Sequence, residues 1–463
     1  SRSVHTGSQF PDKIFRRNNL MSNKTNTGKL GLIACISTLA GGCIGSSIFS
    51  LSGMTMYYAG PAAILSWLIA ALLCGSYGLQ AAELSIRYPK SGGVYTFPAR
   101  AISPKLGAFT AWGYLVSNVI AVAFAAIYVG TYLGVAWTIF NGKVMQIILG
   151  VIATLFCAYM CWNKISTAGK INNILVTGLI ITMLAYIIIA FTHPNFNPAN
   201  FQNFFGQGAK GTTGWIEAVP NAMTGFGSIV AVAFLVGAVE NPKKNVPTAT
   251  IIALLLVVCL YMLMIISTMG HITAGFLEAN PGMRFIPMFA AAFTSMSNIT
   301  WLTKVISISA LLALLTTMLV VMNLTANAMK AMADDGFLPK FLTKDNKNGT
   351  PGTAIIVVTV ICCFLACFPA WTEILVNLGS LFAAMNISLV IIAAVYARKK
   401  TTIDADAFTA PGGNVVSIIT VAIIFCTYIP KLFGAGNGQM WAFCVALYVI
   451  GFVFMNVCKK KNG

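Results

Sequence analysis

Charged residues are scarce in this chain of 463 residues, where Asp, Glu, Lys and Arg together make up only 9%. A soluble globular protein carries about 25% charged residues, so this deficit excludes an ordinary soluble domain. Hydrophobic residues account for 57% of the sequence, and the mean hydropathy is +0.81. The composition therefore predicts a protein embedded in a membrane.

Groups that carry acid–base or metal chemistry are also few. The chain has only eleven Asp and Glu residues, and none of them falls in the middle of an apolar run. The three histidines, His5, His193 and His271, lie in the N-terminal tail or near the ends of such runs. The sequence shows no Ser-His-Asp set, no phosphate-binding loop and no metal-ligand spacing among its twelve cysteines. These absences argue against an enzyme and give no reason to expect a cofactor or a metal ion.

Long apolar runs, by contrast, recur along the whole chain. A membrane-spanning helix needs about 20 predominantly apolar residues, and we predict an all-α integral membrane protein with twelve transmembrane helices. They occupy residues 31–52, 60–86, 106–138, 144–162, 170–192, 218–240, 246–273, 302–332, 353–370, 373–396, 414–433 and 438–458. Residues 1–20 lack an apolar core and are expected to be a cloning remnant or a leader without a role in function.

The basic residues indicate how these helices are oriented. If the N-terminus lies inside, 24 of the 29 Lys and Arg residues fall in segments on that same side, as the positive-inside rule requires. We therefore predict a multi-pass protein of a bacterial inner or plasma membrane, with both termini in the cytoplasm. The net charge of +18 then reflects basic loops that face anionic lipids. The predicted partner is the lipid bilayer and not nucleic acid.

Two of the predicted spans contain clusters of glycine that weaken a helix. The first span carries "GGCIGSSIF" at residues 41–49, and the sixth carries "TGFGS" at residues 224–228. Inside a bilayer, irregular backbone persists only where it is buried in protein or lines a cavity, and such paired interruptions are typical of secondary transporters. For either motif alone, a small-residue packing face between plain helices is the alternative. The glycines predicted to break the two helices are Gly41, Gly42, Gly45, Gly225 and Gly227.

Four motifs follow one another in an order that resembles a known superfamily. They are "GGCIGSSIF" at 41–49, "AAELSIRYPKSGGVYTF" at 81–97, "VENPKKNVPTA" at 239–249 and "MADDGFLPK" at 332–340. On these motifs the chain is similar to the amino acid–polyamine–organocation superfamily, on the side of its amino acid permeases and antiporters. Within that group it resembles the arginine/agmatine antiporter and bacterial relatives of the L-type amino acid transporters.

The resemblance implies a fold and a function. The fold would be a five-plus-five (LeuT-like) inverted repeat with broken helices 1 and 6. The first repeat would cover residues 31–192 and the second 218–396, and two further helices would lie within 414–458. The function would be secondary transport of a small-molecule amino acid by alternating access, in a monomer or a homodimer.

A broken helix can hold the charges of an amino acid at mid-membrane. A charge there costs at least about 2.5–3.5 kcal/mol, and each hydrogen bond from a freed N–H group to a carboxylate returns roughly 1.5–3 kcal/mol. The resemblance implies that Ser46, Ser47 and Ile48 hold the carboxylate. It implies that carbonyls of Cys43, Thr224 and Gly227 hold the ammonium. The further pocket residues that it implies are Tyr114, Asn118, Ala125, Phe226 and Val321.

Some positions depart from the resemblance and restrict the substrate. Ser47 stands where the first motif usually has glycine, which affects how a carboxylate is held. Thr224 and Val321 stand where the arginine/agmatine antiporter has tryptophans, so arginine is not the expected substrate. With no acidic or basic group at mid-membrane, we expect a neutral L-amino acid with a small or aliphatic side chain.

The mode of coupling follows from a second pair of departures. Val230 replaces a glutamate and Leu179 a lysine of other superfamily members, so a titratable coupling group is missing. Exchange or facilitated movement is therefore the expected mode. Sodium coupling is the alternative, because Thr316 and Thr317 could offer hydroxyl ligands to a hard cation, although they could equally bond to their own helix. A proton symporter, a polyamine or cationic amino acid antiporter, and a channel or sensor also stay open.

Overall fold

The computed structural model describes residues 29–45, 47–163, 165–404, 407–433 and 438–462. Residues 1–20 and Ser46, for which the sequence made predictions, lie outside the described residues. The described part of the chain is helical, with α1 (Leu32–Cys43), α2 (Ser52–Ala59), α3 (Ala63–Arg87), α4 (Gly93–Ala101), α5 (Pro104–Ala136), α6 (Lys143–Trp162), α7 (Ile165–Thr192), α8 (Gly214–Met223), α9 (Ala231–Phe234), α10 (Pro242–Met269), α11 (Ala274–Ala279), α12 (Pro287–Thr294), α13 (Leu302–Asp334), α14 (Gly352–Ala366), α15 (Thr372–Lys400), α16 (Gly413–Phe433) and α17 (Gly438–Asn462). Its one β-type pairing is an isolated bridge between Leu30 and Val239.

Within the described residues, nine helical segments are long and apolar enough to cross a membrane. They are Leu32–Arg87, Pro104–Ala136, Lys143–Trp162, Gly169–Thr192, Gly211–Phe234, Pro242–Met269, Leu302–Asp334, Ile374–Lys400 and Met440–Lys461, and two shorter apolar helices are Gly352–Ala366 and Gly413–Tyr428. Large hydrophobic side chains such as Leu72, Ile174 and Val415 point outward, as expected on a surface that meets lipid. The predicted all-helical, multi-pass membrane class is confirmed, and the count of twelve helices stays a prediction.

The first predicted span is interrupted at its glycines. Helix α1 ends at Cys43, and the chain resumes as a π-helix over Ser47–Leu51 before α2 begins. A Cβ atom on Gly45 would lie 1.6 Å from Oγ1 of Thr317, and one on Gly42 would lie 2.6 Å from Cβ of Ser228. No side chain fits at either place, so these glycines allow the interrupted backbone to approach α13 and the sixth span closely.

The sixth predicted span is interrupted in the same way. Helix α8 ends at Met223 and is followed by a 3-10 helix over Thr224–Val230 and by the single turn of α9. Backbone pairing also joins the two interrupted spans, because Leu30 N–H donates to the Ala238 carbonyl at 2.8 Å and Glu240 N–H donates to the Leu30 carbonyl at 2.9 Å. The beginning of the first span is therefore tied to the end of the sixth.

Three short helices, α4, α11 and α12, lie between the predicted spans, where the sequence predicted no helix. Helix α4 is almost wholly buried, and it starts after Gly92, whose φ of +88° is in the left-handed region. A Cβ atom on Gly93 would lie 2.4 Å from the ring of Phe234. The two glycines of the second motif are thus explained by a backbone turn and by close packing of α4 against α9.

A buried ion cluster joins α3 to α15. The carboxylate of Glu83, only 1% exposed, lies 2.8 Å from Nη2 of Arg87 and 2.6 Å from Nη2 of Arg398. It also accepts a hydrogen bond from Ala410 N–H at 3.0 Å, just before α16 begins. A buried carboxylate needs such complete pairing. Glu83 of the second motif therefore holds three elements together at one end of the helix bundle.

Candidate functional site

A cavity of about 110 Å³ lies where the two interrupted spans meet α3, α5, α13 and α15. The interrupted spans line it with Gly42, Cys43, Ser47, Leu51, Met223, Thr224, Gly227 and Ser228. The other helices contribute Tyr77, Tyr114, Ser117, Asn118, Ile120, Ala121, Phe124, Thr317, Val321, Val376, Gly379, Ser380, Ala383, Asn386 and Ile387. On α15 these residues recur every three or four positions from Val376 to Ile387, so one face of that helix lines the cavity over about 16 Å.

The cavity is uncharged. Among the described residues that line it, none is Asp, Glu, Lys, Arg or His, and the polar groups are hydroxyls, amides and the backbone of the interrupted spans. The facing helices α5, α13 and α15 supply apolar side chains such as Ile120, Phe124, Val321 and Ile387, interspersed with hydroxyls and amides. Such a cavity offers both hydrogen-bonding groups and apolar surface. It can bind a polar group and an aliphatic group of the same small molecule.

Two hydroxyls connect the interrupted spans at the cavity wall. The hydroxyl oxygens of Ser47 and Thr224 lie 3.4 Å apart, and Thr224 donates its hydrogen to the Asn221 carbonyl at 2.6 Å. Because Thr224 has used its single hydrogen, Ser47 is the donor between the two. The lone pairs of the Ser47 oxygen then stay available to a donor in the cavity.

A tyrosine behind the cavity connects the two interruptions. Tyr261 of α10 is fully buried, and its hydroxyl lies within hydrogen-bonding distance of the Cys43 carbonyl and 2.9 Å from the Gly225 carbonyl. These carbonyls come from the interrupted stretches of the first and sixth spans. The Tyr261 ring packs 5.0 Å from the Trp67 ring and 5.1 Å from the Phe226 ring, between ring centroids. The tyrosine thereby fixes both interruptions relative to each other.

Comparison with known proteins identifies the family of this chain. The chain matches the family described as amino acid permease over residues 30–455. It belongs to the amino acid permease family. The permease is 28% identical to the branched-chain amino acid permease BcaP of Bacillus subtilis (strain 168), with 91% of each chain covered. It is 27% identical to BcaP of Lactococcus lactis subsp. cremoris (strain MG1363), covering 75% of this chain and 78% of the relative.

A further relative is the methylthioribose transporter of Bacillus subtilis (strain 168), which is 27% identical, with 89% of this chain and 91% of the relative covered. All three relatives are named permeases or transporters. They support a transporter and not an enzyme. The permease is thus an amino acid transporter of the superfamily that its motifs resemble.

Most residues implied by the resemblance come together at the cavity of the permease. Those that line it are Cys43, Ser47, Tyr114, Asn118, Thr224, Gly227 and Val321. Ile48, Ala125 and Phe226 are fully buried and do not line it. Phe226 packs against Trp67 and Tyr261 instead. Ala125 follows Phe124 on the helix, so the Ala125 side chain is rotated about 100° around the helix axis from the Phe124 side chain that lines the cavity.

The Cys43 carbonyl, one of the implied ammonium acceptors, already lies against two donor groups of the protein, although the single hydrogen of the Tyr261 hydroxyl is shared with the Gly225 carbonyl. Gly45 N–H donates to it at 2.8 Å, and the Tyr261 hydroxyl is its second neighbour. A carbonyl oxygen has two lone pairs, so this group is occupied within the protein. The resemblance gave no sign of Tyr261. The sequence signal that could have pointed to Tyr261 is its position inside a long apolar run, because a buried tyrosine hydroxyl needs a hydrogen-bond partner.

The two threonines of α13 point in different directions. Thr316 donates to the Ala313 carbonyl of its own helix at 2.9 Å. Thr317 lines the cavity, and its hydroxyl lies 3.4 Å from the Gly42 carbonyl of the first span. The pair of hydroxyls considered as sodium ligands is therefore split, with only Thr317 facing the interrupted helix.

Proposed function

We propose that this permease moves a neutral L-amino acid across the plasma membrane by alternating access. The observation that carries the proposal is the uncharged cavity between two interrupted spans. At the start of a helical segment the first N–H groups have no partner inside it, and the partial positive charge there favours an anion. The substrate carboxylate accordingly binds at Ser47, where the first span resumes, and not at Ile48, which does not line the cavity.

The ammonium group binds on the sixth span. Because the Cys43 carbonyl is occupied, its acceptors are the carbonyls of Thr224 and Gly227 and the oxygen of Ser47. Each of these oxygens belongs to a residue that lines the cavity, and a backbone carbonyl that already accepts one bond keeps a second lone pair. Together these groups offset the desolvation of an ammonium at mid-membrane.

The side chain of the substrate faces the apolar residues of α5, α13 and α15. Ile120, Phe124, Val321 and Ile387 are among these residues and suit a small or aliphatic side chain. Two of the relatives are named branched-chain amino acid permeases, which supports the same class. An acidic or cationic side chain would find no opposite charge, which disfavours polyamines and cationic amino acids.

Competition for uptake tests this proposal. In proteoliposomes, we expect unlabelled alanine, valine or leucine to compete with a labelled neutral amino acid at least about 50-fold better than lysine or glutamate. The reason is that an unpaired charge costs about 2.5–3.5 kcal/mol at mid-membrane. Strong competition by lysine or glutamate would contradict the neutral class, and competition by methylthioribose alone would assign the cavity to a thiosugar. Uptake that does not saturate would indicate a channel.

The same proposal includes a topology. The segment Leu32–Arg87 is 56 residues long, more than twice what one crossing needs, and α1 and α3 within it are separate helices, so we count it as two crossings. With the other eight long segments and the two shorter helices, this gives twelve. The proposed arrangement is an inverted repeat of residues 31–192 and 218–396, followed by 414–458, with both termini in the cytoplasm. The protein would act as a monomer or a homodimer.

For the energy source we propose exchange or facilitated movement in preference to sodium or proton coupling. The uncharged cavity holds no titratable carboxylate or histidine to carry a proton, and Thr316 bonds to its own helix. We expect uptake to be faster into amino-acid-loaded than into empty proteoliposomes and unchanged by an inward sodium gradient. Sodium-dependent accumulation in empty vesicles that is lost in Thr317→Ala would reverse this assignment.

A further inference from the structure

One polar residue of the cavity is left without a partner. Asn386 lies near the middle of α15 and is only 2% exposed, yet it lines the cavity. Neither its amide nitrogen nor its amide oxygen has a hydrogen-bond partner among the described residues. Buried amides are almost always bonded, so a site with both a donor and an acceptor free points to a missing ligand.

The other asparagine of the cavity, Asn118, differs from Asn386 because it has a hydrogen-bond partner in the protein. Asn118 of α5 donates to the Thr325 hydroxyl at 3.1 Å, and Thr325 in turn donates to the Val321 carbonyl at 2.7 Å. Asn118 is therefore held by the protein itself, whereas Asn386 is not. Of the two asparagines, Asn386 has the amide that is free for a substrate.

The helix opposite Asn386 leaves this amide uncovered. A Cβ atom on Gly113 of α5 would lie 3.0 Å from Oδ1 of Asn386 and 2.2 Å from the hydroxyl oxygen of Tyr448. That hydroxyl is buried and has no partner among the described residues either. A side chain at position 113 would collide with the Tyr448 hydroxyl and crowd the amide oxygen. The amide oxygen therefore lies close to a second polar atom that has no partner among the described residues.

We infer that Asn386 recognises a hydrogen-bonding group on the substrate side chain, so that the preferred substrates are neutral amino acids with a hydroxyl or amide. This inference rests on the proposed function and adds the side-chain class to it. Threonine suits both the apolar lining residues and the Asn386 amide, because it is β-branched like valine and carries a hydroxyl in place of one methyl group. A site built to bind a hydroxyl rejects the analogue that lacks it, since its own polar groups then stay unpaired.

The test compares threonine with valine as competitors of labelled alanine uptake in proteoliposomes. In the wild type we expect threonine to reach half-inhibition at a concentration about tenfold lower than valine. In Asn386→Leu, which removes both amide groups at similar size, this ratio should fall about tenfold. Asn377→Leu serves as the matched control on the same helix, because Asn377 is half-buried and does not line the cavity. Its ratio should equal that of the wild type.

A change in the ratio separates recognition from a purely structural role, which would lower uptake of every amino acid alike. If Asn386→Leu does not elute as a folded protein, Asn386→Ala replaces it in the same assay, and the wild-type ratio stands as an independent measurement. Valine competing as well as threonine in the wild type, or a ratio unchanged in the folded variant, would overturn the inference while leaving the proposed function intact. Absence of saturable uptake of any neutral amino acid would instead overturn the proposed function.

Discussion

Tyr261→Phe is expected to lower the transport rate tenfold or more in a protein that still folds. The substitution removes one oxygen atom, and with it the hydroxyl that lies against the Cys43 and Gly225 carbonyls. A buried acceptor that loses its donor costs about 1–3 kcal/mol. The hydroxyl has one hydrogen to donate, so one of the two carbonyls loses its donor, and the cost falls on backbone adjacent to the residues that we propose to hold the substrate.

Transport and binding are measured on the reconstituted variant, and folding is followed by size-exclusion chromatography and thermal unfolding. Tyr186→Phe is a closely matched control, because the Tyr186 hydroxyl is also buried and bonds to the Thr268 hydroxyl at 2.9 Å, with neither residue lining the cavity. We expect this control to transport as the wild type does. Equal activity of Tyr261→Phe and Tyr186→Phe would show that the link between the two interruptions is unimportant for transport.

Gly227→Leu is expected to abolish substrate binding without unfolding the protein. Gly227 lines the cavity, and a Cβ atom built there meets no heavy atom within 4 Å. A leucine side chain therefore enters the cavity and not a packed helix contact, and it occupies the space that we assign to the amino acid. The smaller Gly227→Ala should weaken binding less than Gly227→Leu, because it fills less of the cavity.

The control for this pair is Gly282→Leu, at a glycine whose Cβ also meets nothing within 4 Å but which lies on the exposed segment before α12. Binding is measured as the shift in melting temperature on adding a neutral amino acid. We expect the shift to vanish in Gly227→Leu and to persist in Gly282→Leu. A full shift in Gly227→Leu would mean that the substrate binds away from the interruption of the sixth span.

Several features of the fold could be predicted because their cause is local. Interruptions of the first and sixth spans were predicted from glycine clusters inside apolar runs, since a run of apolar residues specifies a spanning helix and glycine removes the side chain that would stabilise it. In the first span, Gly41 and Gly42 lie within α1, and the break falls after Cys43, around Gly45. The helices α4, α11 and α12 were missed. Each is short, and α4 is held by burial against α9 and not by a helical hydrophobic pattern of spanning length.

The residues of the site likewise include some that could be predicted from the sequence and some that could not. The resemblance of local motifs to a known superfamily implied Ser47, Thr224 and Gly227, and these residues line the cavity. Tyr261 and Asn386 could not be predicted. Tyr261 is defined by carbonyls 36 and 218 positions away along the chain, and Asn386 by having no hydrogen-bond partner among the described residues. By itself the sequence determined a multi-pass helical permease with two weakened spans. Only the tertiary structure decided which polar groups stay free at the cavity, because hydrogen-bond satisfaction depends on neighbours that packing brings together.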